Sequence, residues 1–129
     1  MTKKAIITPE EAVKLALSVL LDKHKEHFIG IYLDARLKAK KALLISLGTL
    51  TASIVHPREV FRPALCSASA SIILLHNHPS GDTEPSEADL TITSRLEQAG
   101  EILGIGLIDH IIFTATGKFL SMKNEKIIK

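Results

Sequence analysis

With 129 residues, 46% of them hydrophobic and 23% charged, the chain has the length and composition of one globular domain, not of a disordered segment. One cysteine excludes an internal disulfide framework and any multi-cysteine zinc knuckle. A net charge of +2 and five aromatic residues without a Trp argue against a nucleic-acid stacking surface. The longest apolar runs, Ala42–Leu47 and Ser71–Leu75, are too short to cross a bilayer. Met1–Lys4 leads into a helix start and not into an apolar signal segment, so a cytoplasmic protein with no membrane partner is expected.

Thr8-Pro9-Glu10-Glu11 combines an N-cap, a Pro at the first helical position and a capping-box Glu. Val13, Ala16, Leu17 and Leu20 then recur at helical spacing, which predicts a helix from Pro9 to about Asp22. Phe28–Leu33 reads as a buried strand, Asp34–Lys41 as a basic connection and Ala42–Leu47 as a second strand paired with the first. Gly48–His56 is loop-like. Pro57 opens a helix with Val60, Phe61, Ala64 and Leu65 on one face, and Pro63 is expected to kink it. Cys66, at its end, reads as a buried reduced thiol.

Ser71–His76 is the most strand-like run, and Asn77–Asp82 is the turn that follows it. Ser86 begins a helix with Ala88, Ile92, Leu96 and Ala99 on its apolar face, and Gly100 is its expected stop. Ile105–Phe113 and Lys118–Met122 read as closing strands around Thr116-Gly117. The basic tail, 123–129, is expected to fray. Helices and strands alternate without an internal repeat, so the fold class is α/β and residues 1–129 form a single domain with its core over about 8–122.

The chemistry concentrates at His76 and His78. Residues i and i+2 of a strand point to one side, so both imidazoles can converge. Asp89 follows His78 by eleven positions, in the first turn of the next helix, and the intervening loop is long enough to fold back. Two imidazoles and a carboxylate, with a fourth position open, match a catalytic zinc centre, which lowers the pKa of water toward about 7. Iron uses the same ligand types. Zinc deaminases are excluded because they need a paired-cysteine motif.

Glu26, at a helix-to-strand boundary, is the candidate base, although beside Lys23 and Lys25 it also reads as a solvated charge. Ser86 is a candidate donor to a developing oxyanion. Ser86 and Asp89 equally spell a capping box. Asp82 and Glu84 share the loop, and Asp82 reads as a turn former. Asp109 and His110 are read either as supports that orient a ligand or as core residues. Arg36, Lys38, Lys40 and Lys41 form the densest basic cluster, read as a solvated turn in preference to a phosphate-contacting patch.

His76-Asn77-His78-Pro79, then Ser86 and Asp89 at this spacing, resemble the signature of the JAMM (JAB/MPN) metallopeptidases, and Glu26-His27-Phe28 matches where those proteins place their glutamate. Within them the chain is most similar to the RadC family, through Gly48-Thr49-Leu50, His56-Pro57-Arg58-Glu59-Val60, His76–Asp82 and Asp109-His110, over about Thr8 to Met122. The resemblance implies a JAB/MPN-like (cytidine-deaminase-like) domain, a mixed central sheet flanked by helices. It implies Zn2+ on His76, His78 and Asp89, Glu26 as general base and Ser86 as oxyanion helper. It implies hydrolysis of a peptide or isopeptide bond in a polypeptide partner. RadC proteins also carry a DNA-repair label, so a nucleic-acid-metabolism accessory or interaction module with a structural metal is the alternative. These 129 residues do not include the N-terminal helix-hairpin-helix region of the longer RadC pattern, which counts against direct DNA binding. A metal-dependent nuclease is disfavoured, since phosphodiesterases commonly pair two metals.

Overall fold

The computed structural model describes residues 5, 6, 8–48 and 55–128. Most of the expected loop Gly48–His56, including Thr49 and Leu50, lies outside them. The elements run α1 (Pro9–Leu17), β1 (His27–Leu33), β2 (Ala39–Leu47), α2 (Pro57–Cys66), β3 (Ser71–Asn77), α3 (Glu87–Leu103), β4 (Gly106–Phe113) and β5 (Phe119–Ser121). The five strands form one mixed sheet in the order β2-β1-β3-β4-β5. β1 is antiparallel to both β2 and β3, β3 and β4 are parallel, and β4 and β5 are antiparallel. The parallel pair needs a long crossover, and α3 supplies it.

Alternation along the strands builds two cores. Phe28, Tyr32, Ile72, Leu74 and Ile112 point to one face and pack with Val60 and Phe61 of α2 and Ile92 and Leu96 of α3. Ile29, Ile31, Leu33, Ile73, Leu75, Ile111 and Phe113 point to the other and pack with Ala12, Val13 and Ala16 of α1. β1 and β3 are buried along their whole length, as strands covered on both faces must be. The Tyr32 hydroxyl donates to Val60 O at 2.6 Å, tying β1 to α2.

Several expectations change. α1 carries the predicted capping box but ends at Leu17. The Ser18 hydroxyl donates to Leu15 O, and Leu17 and Leu20 still pack against the same core. β2 starts at Ala39, so the turn before it is shorter than expected; Asp34 Oδ1 accepts the N–H groups of Arg36 and Lys38 and folds it tightly. Pro63 is held inside α2. Leu65 and Cys66 are exposed, because α2 buries Val60, Phe61 and Ala64 and turns its last residues outward. Gly100 does not stop α3; the helix runs on to a left-handed cap at Gly104, φ 72°. The described part of the tail, 123–128, is tied down rather than frayed, for Ile127 and Ile128 N–H both reach Met122 O and the Ile128 side chain is buried in the core.

Candidate metal centre

The antiparallel register sets Phe28 opposite His76, so the residue before β1 falls beside the end of β3. This brings together Glu26 and the two histidines that are 50 and 52 positions further along the chain. One ligand atom from each of Glu26, His76 and His78 lies within 4.8 Å of the others. Glu26, His76, His78, Pro79, Ser80, Ser86 and Ala88 line an open cavity of about 380 Å3.

Asp89 enters from the first turn of α3 and is fully buried. Its Oδ1 lies 3.2 Å from His76 Nδ1 and its Oδ2 lies 3.3 Å from His78 Nε2. It also caps α3: Ser86 N–H donates to Asp89 Oδ2 at 2.8 Å, and Asp89 N–H donates to Ser86 Oγ at 3.0 Å. The capping box and the site are therefore one piece of structure. Burial pushes the Asp89 carboxyl up, but the hydrogen bonds from His76, His78 and Ser86 outweigh it and hold it well below the usual carboxylate range.

The protons can be placed from the partners. His78 Nδ1 lies 2.7 Å from the Asp82 carbonyl, which can only accept, so Nδ1 carries a proton. In the neutral ring, His78 Nε2 is then a lone pair aimed at a carboxylate oxygen, a contact that needs a proton or a cation between them. The hydrogen bond to Asp89 raises the pKa of His78 against the opposing effect of burial, favouring a proton on Nε2. His76 donates from Nδ1 to Asp89. Its Nε2 is buried without a hydrogen-bond partner among the described residues, 3.8 Å from Glu26 Oε1, beyond hydrogen-bonding reach. A buried lone pair facing a second imidazole and a carboxylate fits a divalent cation.

Asp82 forms the turn as expected: its Oδ1 accepts Glu84 N–H, while its carbonyl orients His78. Glu84 is exposed. Asp109 and His110 separate to opposite faces of β4. Asp109 accepts from Ser121 Oγ at 2.5 Å and Lys123 N–H at 3.0 Å, far from the histidine cluster in its bonding, and burial raises its carboxyl pKa. His110 is fully buried and reaches Thr93 Oγ1 through Nδ1. The Thr93 hydroxyl donates onward to Asp89 O at 2.7 Å, so His110 braces the first turns of α3 and does not touch a ligand ring through a hydrogen bond. The basic cluster sits at the β1–β2 turn and start of β2, with Arg36, Lys40 and Lys41 exposed.

Three residues were not singled out from sequence. Thr93 lies one turn after Asp89 on the buried face of α3, a spacing that could have flagged it. His27 and Asn77 hold the backbone around Glu26: Asn77 Oδ1 accepts His27 N–H, and Asn77 Nδ2 donates to Lys25 O. Their partners are 50 and 52 positions away, so no local spacing announces them. Among the described residues, no helix is long and apolar enough to cross a membrane.

The family described as the RadC-like JAB domain matches residues 6–127. A UPF0758 protein of Methanosarcina mazei is 44% identical over 98% of this chain and 55% of its own length. UPF0758 proteins of Shouchella clausii and Listeria innocua are 49% and 50% identical over 97% and 91% of this chain, and 54% and 52% of theirs. The chain thus spans about half the length of the curated relatives it matches. With the mixed sheet, its flanking helices and this family match, the chain belongs to the RadC family as a RadC-like JAB domain.

Proposed function

We propose that this domain is a metal-dependent hydrolase of the JAMM type that cleaves an amide bond in a polypeptide. The observation that carries the reading is the buried, unpartnered Nε2 of His76, facing Glu26 and His78 at the wall of an open cavity. As the family resemblance implies, His76, His78 and Asp89 would hold the ion, a set of two nitrogens and one oxygen that suits zinc. The ligand atoms that converge are those of Glu26, His76 and His78, while Asp89 Oδ1 meets the other ring nitrogen of His76. Bound there, it would polarise a carbonyl and lower the pKa of water.

The chain's own groups supply the proton transfers. Glu26, with its side chain about one-quarter exposed at 24%, is open to water and within reach of the cavity. It takes a proton from the attacking water as the oxygen adds to the carbonyl carbon. It then gives that proton to the nitrogen as the C–N bond breaks, so the amine leaves neutral. Ser86 Oγ accepts Asp89 N–H and keeps its own proton, which it donates to the carbonyl oxygen as negative charge develops.

The test is cleavage profiling of zinc-loaded protein against peptide and ubiquitin-like-conjugate libraries, with Glu26→Gln as the control. Cleavage that disappears in Glu26→Gln with zinc retained supports the reading. Zinc retained by both proteins with no Glu26-dependent cleavage would assign the domain to the interaction-module alternative instead.

A further inference from the structure

Glu26 lies outside the regular elements, in the segment between α1 and β1, where a catalytic side chain would ordinarily be free to wander. Its backbone is instead held on both sides. Lys25 N–H donates to Asp22 O at 3.0 Å, and Glu26 O accepts Gly48 N–H at 2.9 Å. Lys25 O accepts from His27 Nδ1 at 2.8 Å and from Asn77 Nδ2 at 2.9 Å. His27 N–H donates to Asn77 Oδ1 at 2.5 Å. The His27 ring is fixed in turn, since its Nε2 accepts Leu21 N–H at 3.0 Å.

Asn77 therefore bonds the backbone on both sides of Glu26 with one buried side chain. Only a primary amide offers a donor and an acceptor at this separation on one rigid plane. A carboxylate would lose the donor, and a hydroxyl cannot span the two sites. Asn77 is also the residue between His76 and His78, its side chain serving the neighbouring chain segment while the two rings turn to the cavity.

We propose that Asn77 is the positioning residue for Glu26, an amide clamp that sets the carboxylate against the two histidines. The inference rests on the hydrolase reading above for the meaning of Glu26, though the clamp itself is independent of substrate. Because one strand end carries both rings and the clamp, movement of that end shifts ligands and base together.

The test uses the full chain loaded with Co2+ as a visible probe, comparing wild type, Asn77→Ala, Asn77→Asp and Glu26→Gln at neutral pH. Asn77→Ala and Asn77→Asp are expected to bind about one cobalt per chain. Their affinity should fall by no more than roughly 10- to 100-fold, the range for a change that removes no ligand. Their visible spectra should move toward that of Glu26→Gln. In the metal-free protein, His27 amide exchange should accelerate by about tenfold or more in Asn77→Ala.

A wild-type spectrum in either Asn77 variant, where Glu26→Gln differs, overturns the proposal; whichever variant folds decides it. A spectrum indifferent to Glu26→Gln removes the base from the hydrolase reading and the positioning role with it. If wild type binds no cobalt, the hydrolase reading fails separately. Unchanged His27 exchange in Asn77→Ala then overturns the clamp, and faster exchange sustains it.

Discussion

Ser86 and Asp89 cap one helix reciprocally, each accepting the other's backbone N–H, while the same Asp89 carboxylate contacts both histidine rings. Two roles of Ser86 can therefore be separated by substitution. Ser86→Ala removes the cap and should cost about 1 kcal/mol, whereas Ser86→Gly should cost only a few tenths, ~0.3 kcal/mol. Both remove the hydroxyl, so both should lower kcat by about 100-fold to 1,000-fold if it donates to the oxyanion. Urea denaturation and hydrolysis of a substrate found by profiling provide the two readouts. Rates that follow stability, and not the hydroxyl, would leave Ser86 as a cap alone.

Two carboxylates border the histidines, and metal affinity tells their roles apart. Asp89→Asn keeps an acceptor for the α3 cap but discards the charge, so zinc affinity should fall by about 100-fold or more, beyond the usual loss from an outer support. Glu26→Gln should shift it by less than about tenfold. Competition titration against a zinc chelator measures both. The reverse order would make Glu26 a ligand and Asp89 the group that orients His76.

The placement of these side chains is largely legible in the sequence. His76 and His78 stand at strand spacing, and β3 is apolar enough to declare itself. Asp89 sits at a helix start that Ser86 marks. Local periodicity carries these features. Asn77, His27 and Thr93 were not legible because each acts through a partner brought close only by the sheet or the α3–β4 packing. Gly100 misled for a related reason. A glycine late in a helical pattern signals a stop, but this one is a packing contact, and the stop is Gly104. The tail misled because its charges were visible while the burial of Ile128 depends on the Met122 turn.

Buried His110 should make the metal-free protein sensitive to mild acid. Burial depresses its pKa to about 3, from 6.5 in an unfolded chain, so the unfolded state binds the extra proton first. Stability is full above the unfolded value and falls as pH drops from 6.5 toward about 3. At pH 5 the loss is about 2 kcal/mol. His78 does not mask this: its pKa is raised, so its contribution is complete below 6.5 and disappears only as pH rises through its folded value. Asp89, with a lowered pKa, loses its contribution only below about 4, the ordinary carboxylate value. His110→Gln should therefore flatten the dependence of the urea midpoint between pH 6.5 and 5, even where it is less stable at neutrality. An unchanged slope would remove His110 as its source.

Gly100 holds α3 close to the chain that follows it. A Cβ there would stand 2.4 Å from Ile105 O, which is backbone and cannot swing aside. Ile105 N–H also donates to Gly100 O at 2.9 Å, so the two segments cannot separate without losing that bond. Ala is favoured over Gly inside a helix by up to about 1 kcal/mol. Overpacking costs about 1–3 kcal/mol or more, and a backbone obstacle belongs at the upper end. The clash wins, and Gly100→Ala should destabilise the domain by about 2 kcal/mol net. Gly106→Ala, where the added carbon meets open space, is the matched control and should change stability by less than about 1 kcal/mol. Urea midpoints of the two variants check the difference, and equal values would mean that α3 can move away from Ile105 at little cost.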